Sequence, residues 1–141
     1  YWQPYHQALA DTLVQLKKQY KKVVLLDAHS ILSQVPRFFE GKLPDFNFGT
    51  ADGASCDKLL LESVQKLDLS PYTSVCNGRF KGGYITRAYG DPTNNIHALQ
   101  LELSQDTYMD EPSDHYNEQK AEQVKEQLQC FVECLVDFSK Q

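Results

Sequence analysis

The sequence has few arginines, no extended basic patch and no long apolar run. Its formal net charge of −5 argues against a nucleic-acid partner. No stretch approaches the roughly 20 apolar residues of a transmembrane helix, and no signal peptide opens the chain, so we expect no membrane partner. The densest lysine group lies at a predicted helix end, a position that favours cations: Lys17, Lys18, Lys21 and Lys22.

The four cysteines include no Cys-x-x-Cys pair and accompany no secretory signal. The sequence therefore predicts free thiols in a cytoplasmic protein. Cys130 and Cys134 lie one helical turn apart and could form a weak metal-binding pair. Because no histidine lies near them in the sequence, we expect them instead to be buried helix residues.

The length of 141 residues is sufficient for one domain with its own core. We find no internal repeat and no low-complexity segment, so residues 1–141 are predicted to form a single domain. The chain begins at Tyr1 rather than at a methionine. This start suggests that the sequence is a processed or trimmed piece of a longer protein.

The stretch from Lys22 to Ser30 is the most informative part of the chain. It contains four consecutive apolar residues, a run too short for a helix and apolar on both faces. This pattern predicts a strand in the middle of a sheet, covered by helices on each side. The run ends in Asp27-Ala28-His29-Ser30, at the carboxyl end of the strand, where open α/β sheets bind their ligands.

Helical periodicity indicates three helices around this strand. Pro4 suits the first turn of the first helix, and Asp52 or Ser55 can cap the second, which Ser70-Pro71 would end. The apolar positions of the three helices are, in turn, Leu9, Leu13, Leu16 and Tyr20; Leu60, Val64 and Leu67; and Val124, Leu128, Phe131, Leu135 and Phe138.

The remaining segments are predicted to be strands or irregular loops. Within 97–103, three leucines at 99, 101 and 103 alternate with Gln100 and Glu102, which is strand patterning. The segments 75–80 and 84–89 are predicted to be two short strands around Gly82-Gly83. Residues 30–53, with four phenylalanines, form an irregular segment long enough to shape a site. We therefore expect an α/β fold, a mixed β-sheet flanked by helices.

Two residues could carry chemistry at this sheet. His29 closes the first strand, and Asp27 could orient its imidazole; the alternative is a hydrogen-bonded core histidine. Glu102 lies between Leu101 and Leu103, where a buried carboxylate is costly unless it is paired or functional; the alternative is a residue that faces water on an edge strand. His6, at the start of the first helix, is either a surface or capping histidine or a neighbour of the site.

The three arginines lie between His29 and Glu102, and none is predicted to be on a helix. Guanidinium groups are favoured over ammonium groups where carboxylates are bound in a bidentate manner. Arg79 and Arg87 flank Gly82-Gly83, which suggests that they bind a small anionic substrate. Structural ion pairs are the alternative explanation for Arg37, Arg79 and Arg87.

Several motifs in one order give the sequence a resemblance to the N-formylglutamate amidohydrolase (N-formylglutamate deformylase) family. The resemblance runs from Pro4-Tyr5-His6 almost to the end of the chain, and a single motif among them would be weak. The motifs are Asp27-Ala28-His29-Ser30, Leu43-Pro44-Asp45-Phe46-Asn47-Phe48-Gly49-Thr50, Ser55-Cys56, Asn77-Gly78-Arg79-Phe80-Lys81-Gly82-Gly83-Tyr84-Ile85-Thr86-Arg87, Leu99-Gln100-Leu101-Glu102-Leu103 and Tyr108-Met109-Asp110-Glu111.

This resemblance implies a fold and a site similar to those of the zinc carboxypeptidase-like (phosphorylase/hydrolase-like) enzymes. His29 matches a zinc ligand, which Asp27 and Ser30 would support without binding the metal themselves. Glu102 matches the carboxylate that takes a proton from water and passes it to the leaving nitrogen. The implied reaction is hydrolysis of N-formyl-L-glutamate to formate and L-glutamate, a step of histidine breakdown, with Arg79 and Arg87 available for the substrate carboxylates.

The family's early metal-binding motif has no counterpart in these 141 residues. We therefore expect the chain to be the C-terminal portion of the enzyme, with the missing N-terminal part as its partner, and to bind zinc weakly or not at all and to be inactive by itself. Two alternatives stay open. One is an amidohydrolase or deacylase of the same group that acts on another N-acyl amino acid, and the other is a non-catalytic anion-binding module.

Overall fold

Four α-helices and six strands make up the computed structural model, which describes all residues from Tyr1 to Gln141. A four-stranded sheet and a two-stranded ribbon contain all of the strands. The helices are α1 (Trp2–Gln19), α2 (Lys58–Gln65), α3 (Tyr84–Tyr89) and α4 (Glu118–Lys140). The strands are β1 (Val23–Ile31), β2 (Phe46–Gly49), β3 (Ser74–Cys76), β4 (Ile96–Ser104), β5 (Met109–Asp110) and β6 (His115–Tyr116).

The main sheet has the strand order β1-β4-β2-β3 and is mixed. Strand β4 pairs in parallel with β1 and antiparallel with β2, and β2 pairs in parallel with β3. Helix α4 packs against α2 and β1, and α3 packs against β4 and β1. The predicted α/β class, with a mixed sheet flanked by helices, is confirmed.

The prediction that the first strand lies in the middle of the sheet is wrong, because β1 is an edge strand of the main sheet. Apolar residues on both faces report only that each face is covered. They carry no information on how many strands flank the backbone in the hydrogen-bonding direction. Strand β4 is instead an internal strand, with eight of its nine residues buried.

The core lies on one face of the sheet, between β4, β2 and the helices α2 and α4. Leu99 and Leu101 of β4 meet Phe48 and Phe131 there, and the rings of these two phenylalanines are 5.0 Å apart between centroids. The apolar stripe predicted for α4 is confirmed, since Val124, Phe131, Leu135 and Phe138 are buried. In α2, Leu60 and Val64 are buried as expected, whereas Leu67 lies beyond the end of the helix.

Three local predictions are wrong. Residues 84–89 form the helix α3, so Arg87 is on a helix, and only Val75 and Cys76 of the predicted strand 75–80 lie in a strand, β3. The segment 30–53 contains the strand β2. Short elements are the cause: six residues are too few to show a helical stripe, and tertiary packing overrides the strand preference of Tyr, Ile and Thr.

The caps and cysteines also differ from expectation. Helix α2 is capped by Asp57, whose carboxylate accepts from the Leu59 N–H at 2.7 Å, and not by Asp52 or Ser55. All four cysteines are free, as predicted, but Cys130 is exposed and Cys134 is half-buried. None of the four helices combines the length and the apolarity needed to cross a bilayer.

Candidate active site

Four polar side chains form a square on the sheet face opposite the core. Residues two apart on a strand share a face, and the register of the parallel pair sets Asp27 beside Gln100 and His29 beside Glu102. All four line one cleft of about 360 Å³. The start of α1 and the start of α3 complete its walls, through Trp2, His6, Gly83, Tyr84 and Ile85. The structure therefore brings His29 and Glu102 into one cleft.

His29 is held by Asp27, which the strand places two residues before it. Nε2 of His29 lies 2.9 Å from Oδ1 of Asp27. Asp27 is buried, but the His29 side chain keeps 50% of its surface exposed. The alternative of a core histidine is therefore wrong. Since Asp27 occupies Nε2, Nδ1 is the ring nitrogen left for a ligand.

Glu102 is a buried carboxylate, with 7% of its surface exposed and no lysine or arginine partner. It therefore does not face water on an edge strand. Burial raises the pKa of its carboxyl group, and the nearby His29 opposes this rise. A carboxylate with a raised pKa holds a proton more readily near neutral pH, as a general acid–base group must.

Gln100 fixes the orientation of Glu102. Its Oε1 accepts from the backbone N–H of Gly83 at 2.6 Å, which leaves its amide N–H to donate to Oε2 of Glu102 at 3.3 Å. Gly83 immediately precedes α3. One amide therefore connects the acid to the segment that forms the opposite wall of the cleft.

The other predicted site residues lie outside the cleft. Ser30 is on the opposite face of β1 from His29, and its hydroxyl is 2.7 Å from the hydroxyl of Tyr108. Arg79 is exposed, and Arg87 donates from Nη1 to the carbonyl of Gly82 at 2.5 Å. None of the three arginines forms an ion pair, so the structural ion-pair explanation is wrong.

Comparison with known proteins identifies the family. The sequence profile of N-formylglutamate amidohydrolase matches residues 1–109. The chain belongs to the N-formylglutamate amidohydrolase family.

Its relatives extend well beyond the part matched here. The N-formylglutamate deformylase of Pseudomonas putida is 49% identical over 138 residues, which are 96% of this chain and 52% of that protein. The N-formylglutamate deformylase of Pseudomonas aeruginosa is 45% identical over 143 residues, 99% of this chain and 54% of that protein. The chain spans about half the length of these curated relatives.

A solved structure has the same fold. The crystal structure of N-formylglutamate amidohydrolase from Ralstonia eutropha JMP134 matches 99% of this chain and 51% of its own, with a TM-score of 0.81 and 26% identity. The resemblance stated from the sequence motifs is therefore confirmed at the level of family and fold.

The donor set of this chain does not fit a complete zinc site. No three histidine, cysteine, aspartate or glutamate side chains come together as metal ligands. A catalytic zinc normally has three protein ligands. Within the cleft, His29 offers only Nδ1 as a ligand atom, because its Nε2 is hydrogen-bonded to Asp27. The same hydrogen bond occupies the Asp27 carboxylate.

Sequence reasoning missed several residues that line the cleft. Gln100 had a usable signal, because it lies two residues before Glu102 on a predicted strand and so shares its face. Tyr84 and Ile85 had none, because they were predicted to be in a strand. The sequence leaves two positions open for His6, a surface or capping position and one near the site, and the structure places it in the cleft.

Proposed function

We propose that this chain is part of an enzyme that hydrolyses N-formyl-L-glutamate to formate and L-glutamate. The observation that carries the proposal is the pairing of His29 and Glu102 across β1 and β4 in one cleft. Membership of the family and the names of the relatives support this choice of substrate. From the resemblance of the motifs we propose the roles: Glu102 as general acid–base and His29 as a zinc ligand.

Glu102 is suited to move the proton that the reaction requires. Water adds to the formyl carbon, the C–N bond breaks, and the proton lost by the water goes to the departing nitrogen. A buried carboxylate beside the bond can take that proton and return it. Such general acid–base catalysis contributes about 10²–10⁴-fold to a rate.

Gln100 should act on this step through its hydrogen bond to Glu102. We expect Gln100→Leu to lower kcat of the complete enzyme about 2–10-fold, the equivalent of one lost hydrogen bond. Formate release measures kcat, and Gln123→Leu, at an exposed position of α4, is the matched control. A kcat as high as that of the control would show that the orientation of Glu102 does not depend on Gln100.

Zinc is proposed for the complete enzyme from the family resemblance, with His29 as the ligand that this chain supplies. When bound, zinc would polarise the formyl oxygen and lower the pKa of its water. We propose that the other ligands lie outside these 141 residues, in the N-terminal part of the enzyme. The proposed zinc carboxypeptidase-like relationship of the fold rests on the same resemblance.

The zinc proposal predicts a difference between the 141-residue chain and the complete enzyme. We expect the chain to bind far less than one equivalent of zinc and to release no formate from N-formyl-L-glutamate. Competition with a chromophoric chelator measures the binding, and the complete enzyme and its His29→Ala variant are the controls. Stoichiometric zinc together with turnover by the 141-residue chain would refute the prediction.

The acyl group is tested by assaying the complete enzyme with N-formyl, N-acetyl and N-succinyl glutamate. A preference for the formyl substrate supports the proposal. A preference for acetyl or succinyl glutamate would identify another N-acyl amino acid amidohydrolase of this group. The alternative of a non-catalytic anion-binding module predicts that the Glu102→Gln variant keeps its ligand binding and that there is no turnover to lose. Histidine breakdown and a cytoplasmic location stay predictions from the sequence.

A further inference from the structure

The charge of the cleft does not match the proposed substrate. Two carboxylates line it, those of Asp27 and Glu102, and no lysine or arginine does. N-formyl-L-glutamate itself carries two carboxylates at neutral pH. Each substrate carboxylate needs a donor or a cation beside it, because a buried carboxylate without either is strongly disfavoured, and the proposed zinc would act on the formyl group.

Two histidines line the cleft, and they differ in what is left to bind a ligand. His29 is already paired with Asp27. His6 contacts Tyr89 of α3: the Tyr89 hydroxyl oxygen is 2.7 Å from Nδ1 of His6 and 3.1 Å from the His6 carbonyl oxygen. When the hydroxyl donates to Nδ1, the nearer of the two acceptors, the neutral imidazole carries its proton on Nε2.

Nε2 of His6 makes no hydrogen bond within the chain, so this side of the ring is available to a ligand. Aromatic rings hold the imidazole in place: Trp2 at 4.4 Å, Tyr84 at 5.0 Å and Tyr89, stacked on it, at 5.7 Å between ring centroids. Trp2 and Tyr84 line the same cleft. The ring is thus oriented from several sides, while one nitrogen stays available.

We propose that His6 binds a carboxylate of the substrate through a hydrogen bond that its Nε2–H donates. The inference rests on the proposed function, which supplies the anionic substrate. In this proposal the start of α1 contacts the substrate directly, and Tyr89 holds the imidazole of His6 in position. Arg79 and Arg87 do not line the cleft, so His6 supplies a donor that they do not provide there.

Substrates that lack one carboxylate test this contact in the complete enzyme. The His6→Gln variant should raise KM for N-formyl-L-glutamate about 10–100-fold, the range for a hydrogen bond to a charged group, with kcat nearly unchanged. N-formylglutamine lacks the side-chain carboxylate, and N-formylisoglutamine lacks the main-chain one. The rise in KM should largely vanish with the analogue whose missing carboxylate is the one bound by His6.

A purely structural role of His6 would give a different result. If His6 only joined α1 to α3, its replacement would affect all three substrates equally, and that outcome overturns the proposal. Tyr89→Phe removes the hydroxyl but keeps the imidazole, so it should raise KM less than His6→Gln does. A larger effect of Tyr89→Phe would also overturn the proposal.

A binding measurement separates this proposal from the proposed function. Calorimetric titration of the complete enzyme with glutarate, a dicarboxylate that cannot be hydrolysed, should give a Kd about 10–100-fold weaker for His6→Gln than for the unmodified enzyme. Equal Kd values, or no glutarate binding by the unmodified enzyme, overturn the role of His6. If binding depends on His6 but no N-formyl-L-glutamate is hydrolysed, the proposed function fails and the carboxylate site stands.

Discussion

Turnover of N-formyl-L-glutamate by the complete enzyme should fall about 10²–10⁴-fold when Glu102 is replaced by glutamine. Glutamine has nearly the shape of glutamate and can still accept the hydrogen bond that Gln100 donates. It cannot take a proton from water at any ordinary pH. The loss should therefore appear in kcat, measured as formate release, while substrate binding measured by calorimetry stays within a few fold.

Glu126→Gln is the matched control for this prediction. Glu126 is an exposed carboxylate on α4, and it does not line the cleft. Both variants change the charge by the same amount, so a general electrostatic effect would lower the two activities alike. Full activity of the Glu102→Gln variant would remove Glu102 from the reaction and leave the cleft as a binding site only.

The second large effect concerns the core that supports the cleft. Replacing Phe131 by alanine should lower the free energy of unfolding by about 3–5 kcal/mol, the usual cost of removing a buried aromatic ring. Phe131 is fully buried, at 0% exposure, and its ring packs against Phe48 of β2 at 5.0 Å. Urea denaturation followed by circular dichroism measures the change in the free energy of unfolding. The comparison is valid if this free energy depends on urea concentration with a similar slope in the variant and in the unmodified protein.

Val132→Ala provides the control, one residue away on the same helix. Val132 is 45% exposed, so little apolar surface is lost from the core when it is shortened. Alanine also has a higher helix propensity than valine. A surface substitution of this kind changes the free energy of unfolding by no more than about 0.5 kcal/mol. If both variants lost the same free energy, the assignment of Phe131 to the core would be wrong.

The long elements and the family could be predicted from the sequence. Strand β1 appears as an apolar run, β4 as alternating leucines, and α4 as a stripe of five apolar positions. Each pattern records which side chains avoid water: that of β1 is a continuous run of four apolar residues, and those of β4 and α4 repeat often enough over nine or more residues to be recognised. The ordered motifs around His29 and Glu102 identified the family. They also predicted two of the side chains that line the cleft, His29 and Glu102 themselves.

Only the tertiary structure decided how these elements meet. It set β1 at the edge of the sheet, made a helix of residues 84–89, and brought His6 and Gln100 to the cleft. A sequence pattern reports whether a side chain is buried, but it does not report which distant residue lies beside it. The contact between α1 and α3, and the register of β1 with β4, arise from packing across more than 70 residues of chain.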